Sequence, residues 1–335
     1  MAVDRPKTNL FLAGDIGGTK TRIGLFARGK TRPVKKTERT FDSRRYPDLE
    51  SIVAAFAGSE KREIAGACFG IAGPVVDGKS RTTNLPWSVS EARLFRRFSW
   101  PKVRLVNDLV ATALAVSVLR SGEIETLLGG RRGAAGNRVV VAPGTGLGLS
   151  MLVEAGEEPL AAASEGGHAD FAPGCEEEVD LWRFLRRRYG HVSAERVLSG
   201  AGLVNIYAWL KSSGRKKEPK WLARQMETAD PAEAVSRAAI NRRTPIAVAA
   251  LDRFASILGA FCGSLALTAL ATGGVYLGGG IPPKILPVLK ETAFAEAFVG
   301  KGRFQGLLEQ VPVRVILNDR AALIGAACCA IREGS

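Results

Sequence analysis

The chain is poor in the residues on which zinc chemistry and histidine-assisted nucleophiles depend. Its 335 residues include only two histidines, His168 and His191, and five cysteines, none of them in a Cys-x-x-Cys pair. Zinc sites need several such side chains close together, and a His-dependent nucleophile needs a base beside it. The scattered cysteines lie in apolar contexts and indicate reduced core thiols rather than disulfides.

Targeting and nucleic-acid motifs are also missing. The N-terminus, residues 1–7, lacks the apolar core of a signal peptide, so a cytoplasmic protein is expected. The 47 basic residues outnumber the 33 acidic ones, but they are spread along the chain and form no recognisable DNA- or RNA-binding motif. We therefore expect a solvated basic surface that favours anionic substrates, and no nucleic-acid partner.

One uncharged stretch, residues 254–283, is long enough to span a bilayer. Glycines interrupt it after about 20 residues, and Val275-Tyr276-Leu277 resembles a short buried strand. The stretch is therefore interpreted as a buried helix, with Gly259 and Gly263 in close helix packing, followed by a strand. No membrane span is expected.

The length suggests about two domains, and strands alternating with helices predict an α/β layer architecture. A strand over 64–71 precedes a helix that ends at Phe98, for which Ser90 is the predicted cap. A strand over 102–106 then delivers Asn107-Asp108 to a helix predicted to run to about Leu119.

The second half of the chain begins after a Gly- and Arg-rich segment, residues 121–137, which predicts a domain boundary. A polar linker is expected over 211–220 and a long helix over 245–272. A final strand over 311–317 precedes a helix from Asp319 that returns to the first domain.

The segment Gly14-Asp15-Ile16-Gly17-Gly18-Thr19 lies between two apolar runs and predicts a strand, a glycine turn and a second strand. Such a turn can direct backbone N–H groups at phosphate oxygens. A P-loop is excluded, because it needs Gly before Lys and a helix afterwards. An ordinary Gly-Gly hairpin remains the alternative.

A second unit of this kind follows at Gly144-Thr145-Gly146-Leu147-Gly148, again between apolar runs. Two such hairpins are expected of a fold built from duplicated halves around a nucleotide site. Their repetition favours phosphate binding at both turns.

Two aspartates stand at predicted strand ends, where open α/β sheets bind ligands. Asp108 suits a general base for transfer of a phosphoryl group to an alcohol, and the alternative is a helix N-cap. Asp15 is a candidate to meet Mg²⁺ through water, and the alternative is a carboxylate bonded to the glycine turn.

Glu165 and His168 are separated by two glycines and can face one pocket from a loop. Glutamate and neutral histidine supply the acceptors and donors that a polyhydroxy substrate needs, and no third metal ligand lies nearby. His191 precedes a predicted helix start with Ser193 as its cap.

Together these segments resemble the bacterial glucokinase family of the hexokinase, actin and chaperone-type ATPase superfamily. The two glycine turns are similar to its phosphate motifs, and Gly273-Gly274-Val275-Tyr276-Leu277-Gly278-Gly279-Gly280 to its adenosine motif. The stretches Glu165-Gly166-Gly167-His168 and Ser193-Ala194-Glu195-Arg196 are the most specific, and the series spans nearly the whole chain.

The resemblance implies an actin-like ATPase (ribonuclease H-like) α/β fold with a cleft between a small and a large domain. It assigns 1–118, completed by the helix 319–335, to the small domain and 119–318 to the large one. It implies ATP- and Mg²⁺-dependent phosphorylation of glucose at the 6-hydroxyl, with Asp108 as general base. The implied sugar-binding residues are Asn84, Asn107, Asp108, Glu165, His168 and Glu195. The implied nucleotide-binding residues are Gly14, Asp15, Ile16, Gly17, Gly18, Thr19, Gly144, Thr145, Gly146, Gly278 and Gly279, with Asp15 toward Mg²⁺.

The sequence departs from related patterns at Lys20, where relatives often carry a small or polar residue. The cysteine cluster of the repressor, open reading frame and kinase family is absent, as is an N-terminal DNA-binding helix pair, which argues against a sugar-sensing regulator. Another hexose, polyphosphate as donor, and an actin-like ATPase remain alternatives. A homodimer is expected only because such assemblies are common.

Overall fold

The computed structural model describes residues 9–58, 63–82, 85–156, 159–214 and 216–334. The strands are β1 Leu10–Ile16, β2 Lys20–Ala27, β3 Val34–Asp42, β4 Gly66–Ile71, β5 Val75–Val76, β6 Lys79–Arg81, β7 Ser88–Ser90, β8 Val103–Asn107, β9 Ile124–Leu128, β10 Arg138–Pro143, β11 Leu147–Val153, β12 Leu160–Ser164, β13 Gly274–Leu277 and β14 Val313–Ile316. The helices are α1 Leu49–Ala57, α2 Glu91–Phe98, α3 Asp108–Ala115, α4 Glu176–Tyr189, α5 Gly200–Ser212, α6 Lys220–Thr228, α7 Pro231–Ile240, α8 Pro245–Thr268, α9 Leu286–Leu289, α10 Thr292–Val299, α11 Gln305–Leu308 and α12 Ala321–Glu333.

The chain divides into two compact units. The first comprises Met1–Arg120, Ala161–Ala163 and Asn318–Ser335, and the second Ser121–Leu160 and Ser164–Leu317. The first unit is therefore built from segments at opposite ends of the sequence.

The first unit is built around a five-stranded sheet of order β3-β2-β1-β4-β8. The first three strands are antiparallel neighbours, whereas β1, β4 and β8 run parallel. Every residue of β4 is buried, as expected of a strand covered by helices on both faces. One hydrophobic cluster includes Ile52 of α1 and Leu94 of α2, and another includes Ala111 of α3 and Leu323 of α12. A small sheet, β5-β6-β7, also belongs to this unit.

The second unit contains a six-stranded sheet of order β12-β11-β10-β13-β14-β9. Its core includes Val141 and Leu277 on adjacent parallel strands. Helix α8 packs closely on α10 at Gly259 and Gly263. A β-carbon at either position would overlap the carbonyl oxygen of Phe294 or Phe298, respectively. The predicted role of these two glycines is confirmed.

Helix α8 is the one helix in the described ranges that is long and apolar enough to cross a bilayer. Its most apolar window is 61% buried inside the protein. Its residues Leu251, Phe254 and Leu258 belong to the core of the second unit. The interpretation of this stretch as a core helix followed by the strand β13 agrees with the structure.

Two expected helix ends were wrong. Helix α3 ends at Ala115 rather than near Leu119, and α8 ends at Thr268 rather than Thr272. The division between the two units falls at the start of the predicted boundary segment 121–137, which also contains the strand β9. Helix α6 begins at Lys220, where the predicted polar linker ends. Ser90 and Ser193 stand at cap positions, but neither side chain makes a capping hydrogen bond.

Glu91, the first residue of α2, contacts a neighbouring strand. Its carboxylate accepts a hydrogen bond from the Leu105 N–H at 2.8 Å. Glu91 thereby joins α2 to β8, the strand that ends at the candidate site.

Candidate active site

The first glycine turn joins β1 to β2 and is closed by backbone hydrogen bonds. The Gly17 N–H donates to the Lys20 carbonyl at 3.0 Å. Ser43, directly after β3, makes two hydrogen bonds to the turn. Its N–H donates to the Thr19 carbonyl at 2.9 Å and its hydroxyl to the Gly17 carbonyl at 2.8 Å. These bonds fix the shape of the turn without using the N–H groups of Gly18 and Thr19.

Asp15 lies at the end of β1, directly opposite Arg22 on β2. The Arg22 guanidinium is 3.7 Å from the Asp15 carboxylate and 2.7 Å from that of Asp319, which precedes α12. Burial raises the pKa of Asp15 to about 6, Arg22 opposes that rise and Asp319 adds to it. Arg22 therefore forms ion pairs with both carboxylates.

The chemistry at Asp15 fits a magnesium ion bound to a nucleotide. Mg²⁺ usually takes one or two carboxylates, keeps several waters and completes its shell with substrate phosphates. Asp15 offers one carboxylate beside a turn in which the Gly18 and Thr19 N–H groups have no backbone partner among the described residues. Among the described residues no group of three His, Cys, Asp or Glu side chains is placed to hold a metal by itself.

Asn107 and Asp108 end β8 and begin α3. The Asn107 side chain caps the helix by accepting from the Leu109 N–H at 2.9 Å, and its amide donates to the Gly73 carbonyl at 3.1 Å. Asp108 is the first residue inside the helix, so the N-cap interpretation of Asp108 was wrong. Its half-buried carboxylate lies 2.9 Å from the same Leu109 N–H.

Asp15 and Asp108 lie at one edge of the first sheet. In the parallel register Ile16 pairs with Ile71, and Ile71 pairs with Asn107. The carboxyl ends of β1, β4 and β8 therefore coincide, which is where open α/β sheets bind ligands. The candidate base and the first phosphate turn are thus separated by one intervening strand.

The second glycine turn and the glycines of the predicted adenosine motif are neighbours in the second unit. The turn is closed by the Gly144 N–H donating to the Gly146 carbonyl at 2.8 Å. Gly278 donates its N–H to the Val141 carbonyl at 2.8 Å. Gly279 has a φ of +77°, and a β-carbon there would lie 2.5 Å from the Pro143 carbonyl oxygen. Glycine suits this position because it adopts a positive φ without strain and has no β-carbon to contact the Pro143 carbonyl.

The predicted sugar-binding residues of the second unit meet at Leu147, directly after that turn. Glu195 accepts a hydrogen bond from the Leu147 N–H at 2.9 Å. On the other side, a side chain at Gly167 would overlap the Leu147 carbonyl oxygen. The loop carrying Glu165 and His168 therefore packs on the same peptide, and both of its side chains are exposed.

A short backbone bridge connects the Glu165–His168 loop with the segment before Glu195. The Phe171 N–H donates to the Val192 carbonyl and the Ala194 N–H to the Ala169 carbonyl, both at 2.9 Å. Asp170 and His191 also make a side-chain contact of 2.9 Å at the surface. The bridge accounts for the buried position of Ser193 without a capping bond.

The structure thus brings the predicted residues together in two groups, one in each unit. The first unit holds Gly14, Asp15, Ile16, Gly17, Gly18 and Thr19 with Asn107 and Asp108, and the second holds Glu165, His168 and Glu195 with Gly144, Thr145, Gly146, Gly278 and Gly279. Asn84 lies outside the described residues.

The chain is similar to known proteins over nearly its whole length. The family model described as Glucokinase matches residues 12–333. The chain belongs to the glucokinase family. Among its relatives, the glucokinase of Synechocystis sp. is 38% identical over 96% of this chain and 98% of that protein.

Solved structures give the same fold, and the first of them also supports the family. A glucokinase from an Antarctic psychrotroph superposes with a TM-score of 0.86 at 30% identity, over 97% of this chain and 99% of that one. A ROK family glucokinase from Streptomyces griseus, solved with glucose and AMPPNP, superposes with a TM-score of 0.63 at 22% identity, over 96% and 99% of the two chains. The predicted actin-like ATPase fold is confirmed.

Three positions of this glucokinase-family site were not anticipated from sequence. Arg22 could have been found, because a tight hairpin places it opposite Asp15. Ser43 and the Leu147 N–H offered no such signal, since their partners lie 26 and 48 residues away along the chain.

Proposed function

We propose that this protein is a glucokinase that transfers the γ-phosphoryl group of ATP to the 6-hydroxyl of glucose. The observation that carries the proposal is the meeting of Glu195 and the Glu165–His168 loop at Leu147, next to the second glycine turn. Side chains suited to sugar hydroxyls and a turn suited to phosphate are therefore neighbours. The assignment to the glucokinase family supports the same reaction.

The proposed base is Asp108. As the glucose oxygen bonds to the γ-phosphorus, the bond from that phosphorus to ADP breaks and the hydroxyl proton passes to the Asp108 carboxylate. The backbone bond to Leu109 holds that carboxylate in place. Such a general base contributes about 10²–10⁴-fold to the rate.

The other sugar hydroxyls are assigned to Asn107, Glu165, His168 and Glu195. Glu195 uses one carboxylate oxygen for the Leu147 N–H, which leaves the second oxygen for a hydroxyl. Asn107 retains one amide N–H beyond its bond to Gly73. The assignment of Asn84 to the sugar rests on the family resemblance alone.

The nucleotide is assigned to the two glycine turns and to Gly278 and Gly279. When bound, Mg²⁺ would neutralise charge on the phosphates, and Asp15 would hold it. We further propose a small domain of 1–118 completed by 319–335, a large domain of 119–318, a cytoplasmic location and a homodimer.

The first test is ADP release by the purified protein with ATP and Mg²⁺, using glucose, mannose, fructose, N-acetylglucosamine or no sugar. Release that depends on glucose and clearly exceeds the other rates is expected. Polyphosphate in place of ATP forms a second arm, assayed by formation of glucose 6-phosphate. Release without sugar, or transfer from polyphosphate alone, would contradict the proposal.

The role of Asp108 is tested by Asp108→Asn. Because the base acts in the transition state, kcat is expected to fall by at least about 100-fold while the glucose Kd, measured by calorimetry, changes little. Asp180→Asn, an exposed aspartate on α4, is the control and is expected to keep full activity. Loss of glucose binding with turnover per bound sugar intact would refute the assignment.

A further inference from the structure

An open groove of about 690 Å³ lies between α1 and α2 on the first unit. Its lining includes Asp48, Glu50 and Ser51 at the start of α1, and Arg93, Arg96 and Arg97 on α2. None of these residues belongs to the proposed active site. The volume is in the range of small-molecule sites.

The three arginines share one face of α2, because positions three and four apart on a helix are neighbours. Arg93 is already engaged: it lies 2.7 Å from the Glu50 carboxylate and donates to the Ser88 carbonyl at 3.0 Å. Arg96 and Arg97 are exposed, and within the described chain neither side chain makes an ion pair or hydrogen bond. Two guanidinium groups therefore face solvent beside a third that is fixed.

Each of the two carboxylates in the groove lies beside a partner within the protein. Asp48 caps α1 and accepts from the Ser51 N–H at 2.8 Å and the Ser51 hydroxyl at 2.6 Å. Glu50 is largely buried and lies 2.7 Å from the Arg93 guanidinium, although neither of its carboxylate oxygens has a hydrogen-bond partner among the described residues. Arg93 offsets the negative charge of Glu50, so Arg96 and Arg97 are the cations that remain for a ligand.

The net charge of the first unit adds to the positive charge of the groove. The first unit holds 24 of the 47 basic residues and 13 of the 33 acidic ones, a formal charge of +11, whereas the second unit holds 23 and 20, a charge of +3. A basic concave surface raises the local concentration of anions. The planar guanidinium group of arginine can also donate two parallel hydrogen bonds to the oxygens of one phosphate.

We propose that the α1–α2 groove is a second binding site, for a phosphate-bearing small molecule. Arg96 and Arg97 bind its phosphate oxygens, and the wall of α1 leaves room for the remainder of the ligand beside Ala54. The ligand source is either a free phosphate chain or the ester of a sugar.

Calorimetry on the full chain tests the proposal. Saturating glucose and a non-hydrolysable ATP analogue are present, so that the proposed active site is filled. Pyrophosphate and glucose 6-phosphate are titrated separately. One saturable site per chain is expected for at least one probe, and the probe that binds identifies the source.

The decisive variant is Arg96→Ala with Arg97→Ala, which removes no ion pair between described residues and is expected to weaken binding at least tenfold. Ala54→Leu narrows the groove without changing charge and is expected to weaken binding as well. Arg131→Ala with Arg132→Ala, an exposed pair on the second unit, matches the charge change and is expected to bind as the parent does.

Three results would overturn the proposal: no saturable binding of either probe, undiminished binding in the Arg96/Arg97 variant, or equal weakening in both arginine pairs. The last would indicate a general charge effect. Failure of the glucokinase proposal would appear separately, as loss of sugar-dependent ADP release with this second site intact.

Discussion

Gly325 lies where α12 crosses α3, and its hydrogen atom faces the backbone of the neighbouring helix. A β-carbon at this position would overlap the Ala111 carbonyl oxygen and come within 2.6 Å of its carbon atom. Backbone cannot rotate away as a side chain can, so the two helices would have to separate. Close packing of α12 on α3 therefore depends on a single hydrogen atom.

Gly325→Ala is expected to destabilise the first unit by about 3 kcal/mol, because overpacking forces the helices apart. Urea unfolding followed by tryptophan fluorescence measures the effect, since Trp87 and Trp100 belong to this unit's core. Gly306→Ala in α11 is the control: nothing lies within 4 Å of its β-carbon, and a small gain of about 0.5 kcal/mol is expected. Equal stability of both variants would contradict the packing argument.

Residue identities predicted much of the candidate site, because turn glycines and strand-end carboxylates are local signals. They could not show which polar groups are already occupied. Asp108 and Asn107 are adjacent and both suit a helix cap, and the backbone geometry decides that Asn107 takes it. Glu195 and Leu147 are 48 residues apart, so their hydrogen bond exists only through the packing of the second unit.

Glu38 joins two elements that are distant in sequence. It lies on the edge strand β3 and contacts Lys35 at 2.8 Å and Arg320, just before α12, also at 2.8 Å. Partial burial by itself would raise the pKa of Glu38, but the two cations outweigh it and hold the pKa below the ordinary value of 4.5. The carboxylate is therefore more stable charged in the folded state than in the unfolded chain.

A lowered folded-state pKa means that this stabilisation is complete above the unfolded pKa and is lost as pH falls through the folded value. Glu38→Gln is thus expected to lower the unfolding temperature at pH 7 by about 3 °C, which corresponds to about 1 kcal/mol for a partly exposed network. The difference should shrink as pH falls below the ordinary glutamate pKa of 4.5 and disappear once Glu38 is protonated in the folded protein. Thermal melts of both proteins from pH 7 downwards test it, and a difference independent of pH would refute it.

Elements with strong apolar patterns were predictable and weakly patterned ones were not. Strand β9 was missed because its residues are only partly buried and lie in a Gly- and Arg-rich stretch. It pairs with β14, nearly 190 residues later. Helix α6 was missed because Leu222 is its one buried residue in a polar sequence.

At the scale of the whole molecule, the basic charge is unevenly shared between the units. The total of +14 is evident from composition. Its concentration in the first unit follows from where that unit ends, because residues 1–120 alone carry +11 and the returning segment 318–335 adds no net charge. An overall positive field accelerates encounter with anions and leaves neutral molecules unaffected.

Raising the ionic strength from about 20 to 200 mM is therefore expected to raise the KM for ATP several-fold, because the Debye length shortens to less than half. The KM for glucose, which is neutral, should change little and serves as an internal control. Steady-state kinetics with potassium chloride as the added salt make the measurement. Parallel changes in both constants would indicate an effect of salt on the enzyme's conformation instead.

The divided first unit also sets an order for synthesis on the ribosome. Residues 9–120 emerge first, yet Ala111, Phe11 and Cys68 stay uncovered on one face until α12 follows the whole second unit. A nearly continuous second unit can complete its core earlier, although domains usually fold from the N-terminus. The growing polypeptide thus carries an unfinished apolar surface through about 200 residues of translation, which makes that surface a natural client for a chaperone.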